Sequence, residues 1–248
     1  MSFVITRLES GIATVVLERG KVNALNPVVV QELSAAFETL RADPAARAVV
    51  LTGSGKFFSF GFDIPEFLSY SREDFTRFLA EFTTLYRVLF SFPKPLVAAL
   101  NGHAVAGGCM IALAADRAVM AQGNGKIALN EIAFGASVFA GSVEMLQFRV
   151  GPRASELLYS GAMCSAEDAQ RIGLVSEVVP AEAVLGRARE IAGELASKRP
   201  EAYAEIKALL RGPTAAAMAA REAASIAGFV EIWYSEPTWS NLRNITIR

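Results

Sequence analysis

The residues best suited to chemistry sit in the stretch Asn101-Gly102-His103-Ala104-Val105-Ala106-Gly107-Gly108-Cys109-Met110 and in an isolated acid further on, Glu131. An apolar run over 95–100 reads as a strand, a turn of small residues follows, and 110–116 reads as a helix. A strand, a glycine turn and a helix start leave bare backbone N–H groups that can grip a developing negative charge. The helix dipole favours an anion at the same end. The nearest downstream acid able to move a proton beside such a point is Glu131. These types and spacings predict a proton-transfer enzyme with an oxyanion hole and very few titratable groups.

An alternating chain has to position them. Residues 12–17 and 47–53 are β-branched and apolar and read as strands. Between them Asn26 is the N-cap and Pro27 the first residue of a helix, with Val30, Leu33, Phe37 and Leu40 on one face. This strand–helix–strand order points to an α/β layer. Ser71, with Asp74 three residues on, starts a long amphipathic helix whose buried stripe is Phe75, Phe78, Leu79, Phe82, Leu85, Tyr86 and Leu89. A short strand over 117–121 and a helix over 141–150 come next. A helix from Ser165 to Gly173 then precedes a strand over 174–179. From 181 the chain turns alanine-rich, with helices expected over 184–198, 201–211 and 215–233. The shift marks two units: a core with the site over 1–180 and a helical oligomerisation region over 181–248. Phe57, Phe58, Phe60 and Phe62 crowd the surroundings of Gly61, more apolar surface than a loop carries without a pocket or interface to line.

Composition excludes several classes. With 24 basic against 25 acidic residues and a net charge of −1, nucleic acid is not the expected partner. Apolar residues make up 52% of the chain, too many for disorder. No apolar run is long and clean enough for a membrane span, and no leader pattern precedes the first strand, so a soluble, untargeted, cytoplasmic protein is expected, with no membrane partner. The single histidine rules out a multi-histidine metal centre. Cys109 and Cys164 lie far apart and are expected to be reduced and buried.

The chain resembles the crotonase (enoyl-CoA hydratase/isomerase) superfamily through a series of segments in order. They are Lys21-Val22-Asn23-Ala24-Leu25, Phe58-Ser59-Phe60-Gly61-Phe62-Asp63-Ile64 and the glycine turn ending at Cys109. Gly151-Pro152-Arg153-Ala154, Ser165-Ala166-Glu167-Asp168-Ala169 and Gly173-Leu174-Val175 follow. The resemblance implies an α/β fold, a crotonase-type spiral of ββα units with C-terminal trimerisation helices, forming a homotrimer or homohexamer. It implies an acyl-CoA thioester as substrate, with no metal and no separate cofactor, since coenzyme A enters with the substrate. The Phe62 and Gly107 N–H groups would hold the thioester oxygen as it becomes an enolate. Lys21, Ala24, Phe60, Phe62, Asp63, Ile64 and Gly107 would contact the substrate. Asp63 also reads as a capping or salt-bridge residue of its loop.

Departures from the family pattern bear on the reaction. Hydratases of the family use two glutamates, one at the position of Glu131 and one at that of Met110, which cannot ionise. Dehalogenases carry an aspartate where this chain has Phe139. A site with Glu131 alone suits the movement of a double bond from the 3- to the 2-position, because one carboxylate can take a proton from C2 and return it to C4. Leu129-Asn130-Glu131 with Phe134-Gly135 is similar to the matching segment of Δ3,Δ2-enoyl-CoA isomerases. The alternatives are hydration, decarboxylation, thioester hydrolysis, or an inactive acyl-CoA-binding scaffold. His103 is expected to brace its turn by hydrogen bonding to backbone, and Glu144 to be structural.

Overall fold

Short runs of Val, Ile, Ala and Leu between turns become strands here, and their pairing decides which loops meet. The computed structural model describes residues 2–245. β1 (Val4–Glu9) and β2 (Ile12–Leu17) form an antiparallel hairpin. β3 (Ala48–Gly53), β5 (Leu96–Leu100), β7 (Arg117–Ala121) and β9 (Glu177–Val179) then add in parallel, giving the order β1-β2-β3-β5-β7-β9. A smaller parallel sheet is made of β4 (Phe57–Ser59), β6 (His103–Val105) and β8 (Ile127–Ala128).

The two sheets are built by one repeated step. β3 and β4 lead to α2 (Ile64–Phe67) and α3 (Arg72–Phe90), β5 and β6 lead to α4 (Gly107–Ala114), and β7 and β8 lead through a 3-10 turn (Glu131–Phe134) to α5 (Ala140–Val150). Each step puts one strand in the large sheet, one in the small sheet and a helix after them. This is the expected spiral of ββα units, with α1 (Pro27–Ala42) between β2 and β3. Every residue of β3 and β5 is buried, as in a parallel sheet covered on both faces.

The rest of the chain is helical apart from β9: α6 (Arg153–Ser160), α7 (Ala166–Arg171), α8 (Val184–Ala196), α9 (Pro200–Trp233) and α10 (Glu236–Arg243). Val184, Ala188, Ile191 and Ala192 of α8 pack on Ala48, Val50, Val97, Ala99 and Val119 of the large sheet. The other face carries the main core, in which α3 and α9 bury Phe75, Phe78, Phe82, Phe229 and Trp233. Among the described residues, no helix is long and apolar enough to cross a membrane.

Local expectations hold at the caps. Asn26 Oδ1 accepts from Val29 N–H at 3.1 Å, and Ser71 Oγ accepts from Asp74 N–H at 3.1 Å. Three boundaries differ from the sequence reading. α4 starts at Gly107 rather than at 110, since glycines and alanines carry no apolar period to mark a first turn. β9 is confined to Glu177–Val179, because the Leu174 and Val175 N–H groups bond the Ala169 carbonyl and close the end of α7 instead. The helices expected over 201–211 and 215–233 are one helix that runs through Pro213. Buried Arg211 and Met218 pin it on either side of the proline, and tertiary packing overrides the local break.

Candidate active site

The glycine turn is strained where it becomes a helix. Ala106 adopts φ 50, ψ −122, a conformation that costs a non-glycine residue on the order of 1–3 kcal/mol. Its side chain cannot cap α4, so the first N–H groups of that helix stay free for a ligand. Opposite lies the segment after β4. Ser59 Oγ donates to the Asn23 carbonyl at 2.8 Å and accepts from Gly61 N–H at 3.2 Å. Leu25 then straddles Phe62: its N–H bonds Gly61 O at 2.7 Å and its carbonyl takes Asp63 N–H at 3.0 Å. Neither Phe62 N–H nor Gly107 N–H is spent on an acceptor among the described residues.

Glycines let the two segments that carry these groups approach closely. Gly61 has φ +93, and a Cβ on it would lie 3.0 Å from Gly107 N and 2.9 Å from Val105 O. Any side chain there would cover the helix start. A Cβ on Gly108 would come within 2.3 Å of Ser59 O, so α4 sits against the β4 loop only because no side chain separates them.

Beside this pair lies a cavity of about 300 Å³, walled by Phe60, Phe62, Ile64, Phe134, Phe139, Phe229, Trp233 and Ile245, with Val105, Ala106, Gly107, Asn130, Glu131 and Ala133 completing it. Glu131 is the one titratable residue among these and is 4% exposed. Loss of water pushes its pKa up from 4.5 to about 8, and its own backbone N–H only partly offsets this. Its Oε2 and the Asn130 Oδ1 are buried without a partner among the described residues. The Cys109 thiol on α4 is near enough that burial first, and then the Glu131 charge, push its pKa well up.

The far end of α4 is held by cations. Arg149 donates to the carbonyls of Ala115 at 2.6 Å and Leu113 at 3.3 Å. Arg211 donates to Ala114 at 2.7 Å, Ala115 at 2.9 Å and Phe90 at 2.8 Å. Asp116 pairs with Lys207 at 2.8 Å and with Arg211 at 3.1 Å. Burial dominates there and lowers the Lys207 pKa to about 8. The negative end of the helix is thus fixed by guanidinium groups, and its positive end faces the cavity.

Phe60, Phe62, Ile64 and Gly107 of the residues singled out in the sequence line the cavity together with Glu131. Lys21, Ala24 and Asp63 line a second hollow of about 540 Å³ with Phe3, Arg19 and Pro65, so consecutive residues from Phe62 to Ile64 serve alternate hollows. Asp63 caps α2 and pairs with Arg19 at 2.7 Å. Phe57 and Phe58 belong to a strand, and Phe58 is core rather than pocket wall.

His103 braces its turn differently from the expectation. Its ring stacks on Phe57 at 4.9 Å, while its buried Nδ1 has no partner among the described residues. Glu144 pairs with Arg221. Both cysteines are free and buried. Met110 is packed in the core, and Phe139 is a cavity wall. The sequence reading missed Phe229, Trp233 and Ile245, which come from the region assigned to oligomerisation. The available signal was the aromatic pair one helical turn apart at 229 and 233, a spacing that also suits ordinary core.

Residues 7–236 match the family model described as Enoyl-CoA hydratase/isomerase. A crotonyl-CoA hydratase of Syntrophomonas wolfei is 35% identical over 198 residues, covering 79% of this chain and 76% of the relative. A carnitinyl-CoA dehydratase of Proteus mirabilis is 34% identical over 199 residues, covering 79% and 76%. The crystal structure of human mitochondrial delta3-delta2-enoyl-CoA isomerase superposes with a TM-score of 0.92 at 26% identity, covering 98% of this chain and 96% of that one.

Proposed function

Since this chain belongs to the enoyl-CoA hydratase/isomerase family and has the crotonase fold, we propose that it shifts the double bond of a 3-enoyl-CoA to the 2-position. The Phe62 and Gly107 N–H groups hold the thioester oxygen. Glu131 takes a proton from C2, the negative charge spreads from that oxygen along the dienolate, and the same carboxyl group returns a proton to C4. Rigid, neutral peptide donors suit this task, and one such donor contributes about 2.7–4 kcal/mol to lowering the barrier.

The observation that carries the reading is that Glu131 is the one titratable side chain among the described residues lining the cavity. Hydration, which the name of the crotonyl-CoA hydratase relative favours, needs a held water and a second proton-handling group. The position that supplies that group in hydratases of the family is Met110, packed in the core.

In the same reading the nucleotide end of the thioester lies along Lys21, Ala24 and Asp63, and its acyl end in the cavity with Phe60, Phe62, Ile64 and Gly107. Coenzyme A comes with the substrate, with neither metal nor separate cofactor, and the protein works in the cytoplasm without nucleic acid or membrane. Ile206, Leu209 and Leu210 stand 58%, 69% and 63% exposed along α9, which supports a homotrimer or homohexamer. Incubation with a 3-enoyl-CoA and, separately, a 2-enoyl-CoA tests the function. Isomerisation with little addition of water is expected. Efficient hydration at a comparable rate overturns the reading, and stabilisation by acyl-CoA without turnover points to a scaffold.

A further inference from the structure

Glu131 opens a single 3-10 turn closed by Gly135 at φ +87. A turn this short has poor hydrogen-bond geometry of its own. Gly135 N–H and Ala136 N–H fold back on the carbonyls of Ile132 and Glu131, and the carbonyls of Phe134 and Gly135 are met by α10. Thr238 Oγ1 donates to Gly135 O at 2.8 Å, and Asn241 Nδ2 donates to Phe134 O at 3.2 Å. A Cβ at position 135 would stand 3.2 Å from Thr238 Oγ1, so the glycine also makes room for this approach.

α10 is itself anchored at both ends. The chain leaves the cavity wall at Trp233, crosses the turn, and rejoins the wall at Ile245. Tyr234 OH donates to Tyr70 O at 2.9 Å, Trp239 stacks on Tyr234 at 4.9 Å, and Leu242 is fully buried. We propose that Thr238 and Asn241 are positioning residues, and that α10 is a strap that sets the aim of the Glu131 carboxylate. A group that must reach two carbons of one substrate tolerates little drift, and a shift of about 1 Å can cost 10²-fold in rate.

The kinetic arm of the test rests on the isomerase reading, and the titration arm does not. Thr238→Val keeps the buried shape and removes the hydroxyl, and Asn241→Ala alters an exposed residue, so both variants are expected to fold. The double variant should lose about 10- to 100-fold in kcat with KM little changed. Thr238→Ser, which keeps the donor, should restore the rate. If wild type turns over 3-enoyl-CoA, an undiminished kcat in the double variant overturns the strap, as does an equal loss in Thr238→Ser. If wild type is inert on that substrate, the function above fails and Glu131 is followed instead by carbon NMR of glutamate-labelled protein. Its titratable neighbour is Cys109, and no other charged side chain among the described residues lines the cavity. The Glu131 midpoint should fall in the double variant as water reaches a displaced carboxylate. An unmoved midpoint then overturns the strap.

Discussion

A carboxyl group that has lost its water gives up its proton late, and in the proposed reaction Glu131 must be ionised to take one from C2. With its pKa raised to about 8 by burial, kcat/KM for a 3-enoyl-CoA should climb through neutral pH and level off above about 8. A profile already flat at pH 6 would assign the base elsewhere. Glu131→Gln should lower kcat by roughly 10²–10⁴-fold with acyl-CoA affinity little changed. The same variant should be more stable than wild type. Between 4.5 and about 8 the folded chain keeps a proton on Glu131 that the unfolded chain has released, so stability falls as pH rises through that window. Each pH unit in it costs about 1.4 kcal/mol. The melting-temperature gain of Glu131→Gln should therefore grow from pH 5 to pH 8 and vanish near pH 4.

Two elements have to touch for the proposed oxyanion pair to exist, and glycine decides the distance. Gly61→Ala should push the β4 loop off α4, raising the barrier by about 3 kcal/mol through loss of one donor, with circular dichroism unchanged. At the other end of α4, Arg211→Met would take the guanidinium from the Phe90 and Ala114 carbonyls while Asp116 keeps Lys207 and the Ala115 carbonyl keeps Arg149, and a loss of about 1–3 kcal/mol is expected in denaturant unfolding. The sequence made α1 and α3 legible, because Asn26 and Ser71 are strong caps and the apolar stripes keep helical period. It placed Glu131, Phe62 and Gly107 near one another through the family resemblance. The strain at Ala106 was not legible, since an alanine gives no sign of positive φ. The run of α9 through Pro213 was hidden as well, because packing far along the chain outweighs a local breaker.

At the scale of the whole molecule, the cavity gathers walls that lie as far apart in the sequence as Phe60 and Ile245. Phe229, Trp233 and Ile245 reach the walls from a region whose alanine-rich composition suggested association alone. Contacts between segments so distant leave no period or spacing to read. The association proposed above would use another face of the same region. Replacing Leu209 and Leu210 with glutamate places charge on the most exposed apolar stretch of α9. Sedimentation should show a trimer or hexamer for wild type and smaller species for this variant. A stable wild-type monomer at micromolar concentration would remove the basis for that expectation.

A carboxyl enclosed by phenylalanine, tryptophan and isoleucine side chains is also poorly placed to trade hydrogen with bulk water. If one oxygen carries the hydrogen from C2 to C4, the nucleus that leaves the substrate is the one that rejoins it. A thioester labelled with deuterium at C2 should yield product with deuterium at C4, and the same conversion in heavy water should incorporate little solvent label. Both transfers should occur on one face of the carbon chain, so the newly labelled carbon should be of a single handedness wherever its substituents make it stereogenic.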